Sequence, residues 1–503
     1  MSPDAAPPAS PSSEAADGAV FDVLVVGAGI SGIGAAHHLK TQRPGTRFLV
    51  LEAKDTFGGT WVTHRYPGIR SDSDLHTFGY RFKPWVGPPI ATADQILQYL
   101  GEVIDDHRLD AHIRYGHAIE RAGWSNAERC WTLEVRRVHT GERLRLRTRF
   151  LWMCQGYYAH ERGYTPHWPG REAFRGQVVH PQDWPAGLDC TGRRVVVIGS
   201  GATAATLVPA IAGRCAHVTM LQRSPTYFVT GRNANLLAET LRELQIDETW
   251  IHEIVRRKVL FDQANLQRRA HEEPDALKAE LLAAVRAQLG PTVDVERHFT
   301  PRYRPWQQRI AFIPDGDLFR AIREGHASVV TDEIDHWTET GLLLKSGDRL
   351  EADLIVTATG FELSVMGGIP FEVDGRPLDF AQTVGWRGGM FTGVPNLVWV
   401  FGYFRASWTL RVDLLGDFVC RLLGHLDARG ASVVTPRLRD VDRDMAIVPW
   451  VEPGNFNPGY LARGLERLPR QGDRDPWRHT QDYQADLRTL PAADLDDGTL
   501  VYD

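Results

Sequence analysis

The sequence predicts an α/β protein built from two Rossmann-like dinucleotide-binding domains, the second inserted into the first and itself carrying a helical insert. Three observations predict it. Two glycine-rich turns, at residues 27–32 and 199–204, each follow a short apolar run and open a helical pattern. Each helical pattern leads into another apolar run with an informative residue at its end, Glu52 in the first case and Arg223 in the second. A further strand-like run, residues 350–361, ends in Ala358-Thr359-Gly360 and reads as the return of the chain to the first unit.

The elements follow in order. Residues 1–18 are rich in Ala, Pro, Ser and Asp and have neither a basic start nor an apolar centre, which argues against a secretory signal and predicts a disordered tail. The first unit, residues 19–160, opens with the apolar run 21–26. Residues 30–39 then place Ile30, Ile33, Ala36 and Leu39 on one helical face, and the run 48–51 completes a βαβ unit. The second unit, residues 161–345, repeats this plan with a strand at 194–198, a helix through Ile211 and a strand at 218–221. Within it, residues 233–290 are charged and leucine-bearing, free of glycine up to Gly290 and broken only by Pro274. They predict a helical insert over one side of a cleft. Residues 346–503 complete the first unit and, from Asp440, form an irregular wrap.

Composition narrows the function classes. The 503 residues exceed one ordinary core and leave room for a buried cofactor cleft. Lys and Arg number 57 against 63 Asp and Glu, a net charge of −6, and the two signs are interspersed, which argues against a nucleic-acid partner. The five cysteines stand singly, which suits a reducing cytoplasm and predicts no metal site. No apolar run reaches the roughly 18 residues of a membrane span, although attachment to a membrane surface stays compatible with the sequence.

The chemistry lies in the turns. In Gly27-Ala28-Gly29-Ile30-Ser31-Gly32 the first glycine permits a tight turn, the second lets backbone approach a pyrophosphate, and the third lets helix and strand pack closely. The helix N-terminus then offers free amides to the phosphates. Glu52 stands where it can accept from ribose hydroxyls. In Gly199-Ser200-Gly201-Ala202-Thr203-Ala204 an alanine takes the third glycine's place, and Arg223 stands where an acid would suit a free 2′-hydroxyl. A cation there suits a 2′-phosphate and so NADP; a solvated surface arginine is the plainer alternative. Two dinucleotide sites in one chain imply FAD on the first and NADPH on the second, because a nicotinamide hydride must reach a second redox centre.

Two longer patterns add to this. Phe174, Gly176, His180, Trp184 and Pro185 follow the spacing F-x-G-x-x-x-H-x-x-x-W-P, expected by chance at roughly one in ten thousand or less in a chain of this length. Gly58-Gly59-Thr60-Trp61, Tyr66-Pro67-Gly68 and Asp72 follow G-G-x-W-x-x-x-x-Y-P-G-x-x-x-D. Both patterns resemble those of the Baeyer-Villiger monooxygenases. From Phe21 to about Tyr483 the chain is similar to that family, and within it to the ethionamide-activating branch.

The resemblance implies an NADPH- and FAD-dependent enzyme that converts a ketone and molecular oxygen to an ester or lactone, through a flavin C4a-peroxide and a tetrahedral adduct. It implies that Arg309, in Trp306-Gln307-Gln308-Arg309, stabilises the oxyanion and that Asp72 orients it. It implies FAD contacts from Gly27, Gly29, Ser31, Gly32, Glu52, Gly59, Thr60, Trp61, Asp72 and Ile119. NADP contacts would come from Arg70, Ser71, Gly199, Ser200, Gly201, Ala202, Thr203, Ala204, Arg223 and Ser224. His180 would belong to a linker coupling the two domains. Gln308 departs from the family, where many relatives carry a lysine that supports the 2′-phosphate, so NADPH selectivity would rest chiefly on Arg223. The aromatic run Trp399, Phe401, Tyr403, Phe404 and Trp408 lines the substrate pocket or is plain core. Three other readings stay open: a nitrogen- or sulfur-oxygenating flavin monooxygenase, an NADPH oxidase, and a catalytically lapsed flavin-binding regulator. A disulfide reductase is close to excluded, because no two cysteines are close in sequence.

Overall fold

The first nucleotide unit is organised around the strand Val20–Val26, which pairs in parallel with Phe48–Leu51 on one side and Arg143–Met153 on the other. The computed structural model describes residues 20–503, so the tail expected at residues 1–18 lies outside the described residues. Ile113–Arg114 extends the sheet beyond Phe48–Leu51, and an antiparallel run through Cys130–Arg137 and His117–Ser125 extends it the other way. Val23 and Val25 enter one buried core and Leu24 and Val26 another, so both faces of the sheet are covered. That double burial explains why the strand reads as a continuous apolar run and not as an alternation.

The second unit repeats the arrangement. Arg194–Ile198 lies between His217–Gln222 and Leu354–Thr357, all parallel, with Ala327–Thr331 and Gln177–Val179 at the edges. Val195 and Val197 face one core, Val196 and Ile198 the other. The sheet corrects a boundary drawn from sequence. Residues 350–361 divide into Arg349–Glu351 and Leu354–Thr357, and the latter pairs with Arg194–Ile198, so the second sheet runs past residue 345 to Thr357. The chain crosses between units twice, at Tyr158–Gly163 and Phe361–Leu363, and the two crossings pair as an antiparallel ribbon.

Three helices occupy the region read as a helical insert: Leu236–Glu243, Glu248–Glu272 and Pro274–Leu289. The break falls at Glu273, where Pro274 restricts the preceding residue and starts the next helix. The long helix docks on the first unit. Buried Arg256 donates to the carbonyls of His76 (2.9 Å) and Gly79 (3.0 Å), and His252 Nδ1 accepts from the Trp85 amide (3.3 Å). The outer face of the insert leaves Leu244, Trp250 and Phe261 exposed. Among the described residues no helix is long and apolar enough to cross a membrane, and no cluster of ligating side chains could hold a metal ion.

The C-terminal wrap is fixed by one buried acid. Asp486 accepts from the Tyr403 hydroxyl (2.6 Å), from Arg411 Nη1 (2.5 Å) and from the Thr480 hydroxyl (2.8 Å), joining the helix Tyr483–Thr489 to the helix Trp408–Arg429. Asp486→Ala should strand the Arg411 charge in the core and lower stability by about 3–5 kcal/mol, read as a lowered thermal unfolding midpoint at constant FAD.

Four buried histidines give the stability a pH dependence. Burial, foremost, pushes His64 and His252 down to about 4, and His37 and His479 to about 3, from an ordinary 6.5. Unfolding releases each to titrate normally, so the unfolded chain binds more protons below pH 6.5. Their contribution to stability is complete above that pH and declines as the pH falls through 6.5 towards 4, where folded His64 and His252 begin to protonate. The unfolding midpoint at fixed ionic strength should therefore drop across that interval, and a flat profile would contradict the assignment.

Candidate active site

The first glycine turn is a cradle with no room for side chains. Gly27 takes φ +96°, and a Cβ on Gly32 would stand 1.8 Å from the Gly27 carbonyl oxygen. The helix Ile30–Gln42 can therefore reach the strand only because residue 32 is glycine. Gly29 caps that helix with no side-chain hydrogen bond, which leaves the first-turn amides free for a phosphate. Gly59, at φ +55°, brings its backbone against Gly29, where an added Cβ would be 3.1 Å from the Gly29 Cα, and starts the single turn Thr60–Thr63. Trp61 packs edge-on to Phe78. Glu52 closes the cradle from the second strand, accepting from the Ala28 amide (2.7 Å) and the Lys54 amide (2.9 Å) with lone pairs left for ribose hydroxyls. Ser31 accepts from Trp408 Nε1 (2.8 Å), and Ile119 sits half-buried in the strand His117–Ser125 at a register shift.

The second cradle is similar and more open. Gly199 takes φ +129° and a Cβ there would meet the Ala358 carbonyl oxygen at 2.3 Å, whereas a Cβ on Gly201 would meet nothing within 4 Å. Gly201 starts the helix Ala202–Ala212, again without a side-chain cap. Ala204 is fully buried in the core, which explains why a methyl is accepted in the third glycine's place. Ser200 Oγ lies within hydrogen-bond reach of the Ser224 carbonyl (3.2 Å) and Thr226 Oγ1 (3.0 Å), and Thr203 takes a hydrogen bond with the Tyr66 hydroxyl. Arg223 and Ser224 are exposed just beyond the strand His217–Gln222.

The loop 64–74 is wedged between the two units. Tyr66 joins the second unit's core, and a Cβ on Gly68 would collide with Ala210 of the helix Ala202–Ala212 at 2.6 Å. At its far end Asp72 meets Arg309, Oδ2 to Nη1 at 3.3 Å, with each side chain about a third exposed. Asp72 foremost holds the guanidinium above its ordinary range, so its charge is fixed at any working pH. Two neighbours are engaged within the protein. Both terminal nitrogens of Arg70 are engaged by Asp317 (2.5 and 3.2 Å), and Ser71 is buried, donating to the Ser73 carbonyl at 2.9 Å. Arg70 and Ser71 therefore hold the wedge together through these contacts.

Sequence reasoning missed three phenols beside Arg309. The hydroxyls of Tyr157 and Tyr158 hydrogen-bond each other, Tyr460 stands edge-on to Tyr158 with ring centroids 5.6 Å apart, and all three feel the Arg309 charge. Trp408 stacks on Tyr157 at 5.1 Å and 9°. The available signal was Gly156-Tyr157-Tyr158, directly after the strand Arg143–Met153 runs out at the cradle. Trp399, Phe401, Tyr403 and Phe404 are buried, and Phe401 (5.4 Å) and Phe404 (6.3 Å), like Trp408, pack against the Tyr157 ring.

The fingerprint surrounds the crossing ribbon. Phe174 packs on Trp337 with centroids 5.5 Å apart, and a Cβ on Gly176 would strike both Phe174 and the Asp353 carbonyl. His180 Nε2 lies 3.2 Å from the Gly360 carbonyl, and its ring fills the space a side chain at Gly163 would need. Trp184 packs half-buried on the second unit's core, and the Pro185 carbonyl accepts from the Leu188 amide. The cysteines carry one surprise: Cys190 and Cys215 meet in the second unit although distant in sequence, but both remain free thiols.

Two dinucleotide cradles joined by the loop 64–74, with the Arg309 cation at its far end, are the arrangement of a flavoprotein that is reduced by a nicotinamide dinucleotide. Residues 25–86 match the NAD(P)-binding Rossmann-like domain family and residues 88–236 the flavin-binding monooxygenase-like family. The FAD-containing monooxygenase EthA of Mycobacterium tuberculosis is 44% identical over 484 residues, covering 96% of this chain and 97% of that protein. The probable FAD-binding monooxygenase AlmA of Acinetobacter baylyi is 42% identical over 485 residues, 96% of each. Among solved structures, oxidized steroid monooxygenase bound to NADP superposes with a TM-score of 0.70 at 26% identity, over 83% of this chain and 88% of that one. The open crystal structure of cyclohexanone monooxygenase shares the fold, with a TM-score of 0.70 at 22% identity over 83% and 90%. The chain belongs to the FAD-containing monooxygenase family and is a class B flavoprotein monooxygenase, with FAD and NADP as its cofactors.

Gly32→Ala should separate the helix Ile30–Gln42 from its strand and empty the first cradle. The purified variant is expected to lose most of its flavin absorbance, whereas Gly45→Ala, where an added Cβ would meet nothing within 4 Å, should retain it.

Proposed function

We propose that the protein is a Baeyer-Villiger monooxygenase that uses NADPH and molecular oxygen to convert ketones to esters or lactones, with sulfur oxidation as a side activity. The observation that carries this reading is the Asp72–Arg309 pair, which holds a fixed positive charge at the end of the loop that bridges the two cradles. Bound FAD, reduced by NADPH, supplies the activated oxygen. The chain supplies electrostatics and position. Arg309 neutralises the negative charge that develops on the substrate oxygen as the carbonyl is attacked, and Asp72 keeps the guanidinium aimed there. Tyr157, Tyr158 and Tyr460 crowd the same charge with aromatic surface and exclude water, and Trp408 closes the wall behind Tyr157. The paired crossings, with His180 against Gly360, are the hinge about which the second unit moves between reduction and oxygenation. The 26% identical steroid monooxygenase bound to NADP supports a monooxygenase that takes this nucleotide. A cytoplasmic location, with reversible attachment to membrane surfaces through the exposed Leu244, Trp250 and Phe261, belongs to the same reading.

The decisive variant is Arg309→Ala, assayed against linear, cyclic and aryl ketones with products identified by mass. FAD should stay bound and reducible by NADPH, while ester formation falls by about a hundredfold or more. Full ester yield from this variant would overturn the role given to Arg309. A wild-type enzyme that oxygenates sulfides but yields no ester from any ketone would move the assignment to the heteroatom branch.

A further inference from the structure

Arg463 has no place in the site as described so far. It lies on the helix Gly459–Gly464, the same short helix that carries Tyr460 to Arg309. Although exposed, its guanidinium is held in one place. Its central carbon lies 3.5 Å from the centroid of the Tyr164 ring, and Nη2 donates to the Phe361 carbonyl at 3.3 Å. Tyr164 in turn donates its amide to the Gly360 carbonyl (3.0 Å), and a Cβ on Gly360 would stand 3.8 Å from Arg463 Nη2. Gly360 follows Ala358 by two residues, and the Ala358 carbonyl is the group that closes on Gly199. Arg463 therefore stands at the mouth of the second cradle, over the carboxyl ends of the strands Arg194–Ile198 and Leu354–Thr357.

Arg223 stands at the carboxyl end of the next strand, His217–Gln222. The three strands are successive neighbours in one parallel sheet, so their ends span only about 10 Å at the usual strand spacing. That crevice is where open α/β sheets bind their ligands. Neither cation makes an ion pair with a carboxylate among the described residues. Glu362, beside Arg463, is taken by Arg162 (2.9 Å), and Glu333, beside Arg223, is taken by Lys345 (2.7 Å). Burial first, and the Arg223 charge in addition, push the Arg463 guanidinium below its ordinary range. Like charges brought together without a counter-ion are relieved by an anion, and a stacked guanidinium keeps its fork of donors free for phosphate oxygens. Gln308, next to Arg309, brings no charge to this task.

We propose that Arg463 is a phosphate-binding residue of the NADP site, acting with Arg223 on a phosphate of the dinucleotide from the opposite wall of the crevice. The assignment concerns nucleotide binding alone and stands or falls independently of the ketone chemistry. The test is equilibrium binding to the FAD-loaded enzyme by titration calorimetry, with NADP+ and NAD+ as the probes. Arg463→Met should weaken NADP+ binding about tenfold or more. Arg463→Lys should recover part of the loss, because it restores the charge without the fork. Tyr164→Leu, which removes the stacking platform, should shift the constant in the same direction, and FAD content should stay stoichiometric throughout. A loss confined to NADP+ assigns Arg463 to the 2′-phosphate, and an equal loss for NAD+ assigns it to the pyrophosphate. NADP+ binding as tight to Arg463→Met as to wild type, under conditions where Arg223→Met weakens it, would overturn the proposal.

Discussion

Two backbone contacts that exclude any side chain fix where the functional groups lie. Gly32 sits beneath the Gly27 carbonyl, and Gly199 sits against the Ala358 carbonyl. In the first contact the absent Cβ draws a helix onto its strand; in the second it draws two strand ends together. The helix N-termini Ile30 and Ala202 then open at the carboxyl ends of their sheets, uncapped by side chains. Their free amides can receive a phosphate without cost to the structure. Once those two helices are placed, the loop 64–74 has one route between the units, because Gly58 and Gly59 pin its start to the first cradle and Gly68 pins its middle to the helix of the second.

Charge is distributed along that wedge in two ways. Arg70 and Asp317 form a bidentate pair across the units, with most of their surface covered, and act as a fastening. Asp72 and Arg309 make a longer, single-nitrogen contact and are more exposed, which leaves other guanidinium donors without a carboxylate. The difference follows from place. A fully satisfied pair rigidifies an interface, whereas a partly satisfied cation at a cleft keeps the capacity to stabilise an anion that arrives later. Arg411 and Asp486 show the first behaviour taken further, because their burial makes the pair a structural requirement of the C-terminal wrap.

Much of this was legible in the sequence where function and local geometry coincide. The glycine turns, Glu52 and the helix break at Pro274 each follow from residue types that suit few backbone or charge environments, whereas the pairing of Asp72 with Arg309 was implied by the family resemblance alone. Legibility failed where residues act through tertiary neighbours. The strand Leu354–Thr357 carries no mark of the sheet it joins, since both sheets accept a doubly buried apolar run. The contacts of Arg70 with Asp317 and of Ser71 with Ser73 carry no mark in the sequence either. Tyr157, Tyr158 and Tyr460 come from places some three hundred residues apart and acquire meaning only by sharing the Arg309 charge. The aromatic run around Phe401 illustrates the opposite ambiguity, because its members are as buried as Tyr157 and only their tertiary neighbours relate them to the site.

The helix Gly459–Gly464 gives the two halves of the site a mechanical link. Tyr460 on it borders Arg309, and Arg463 on it rests on Tyr164 at the crossing ribbon. The loop before it is tied to the segment leading to Arg309, since the Asn457 amide donates to the Gln307 carbonyl and Arg405 holds both Trp306 and Asn455. A shift of the second unit about the ribbon would move the Tyr164 platform and the Arg309 segment together, because one short helix contacts both. The ring of phenols around Arg309 and the mouth of the nucleotide cradle are therefore neighbours through a rigid element as well as through space. Rearrangement at the nucleotide end has a direct path to the Arg309 charge.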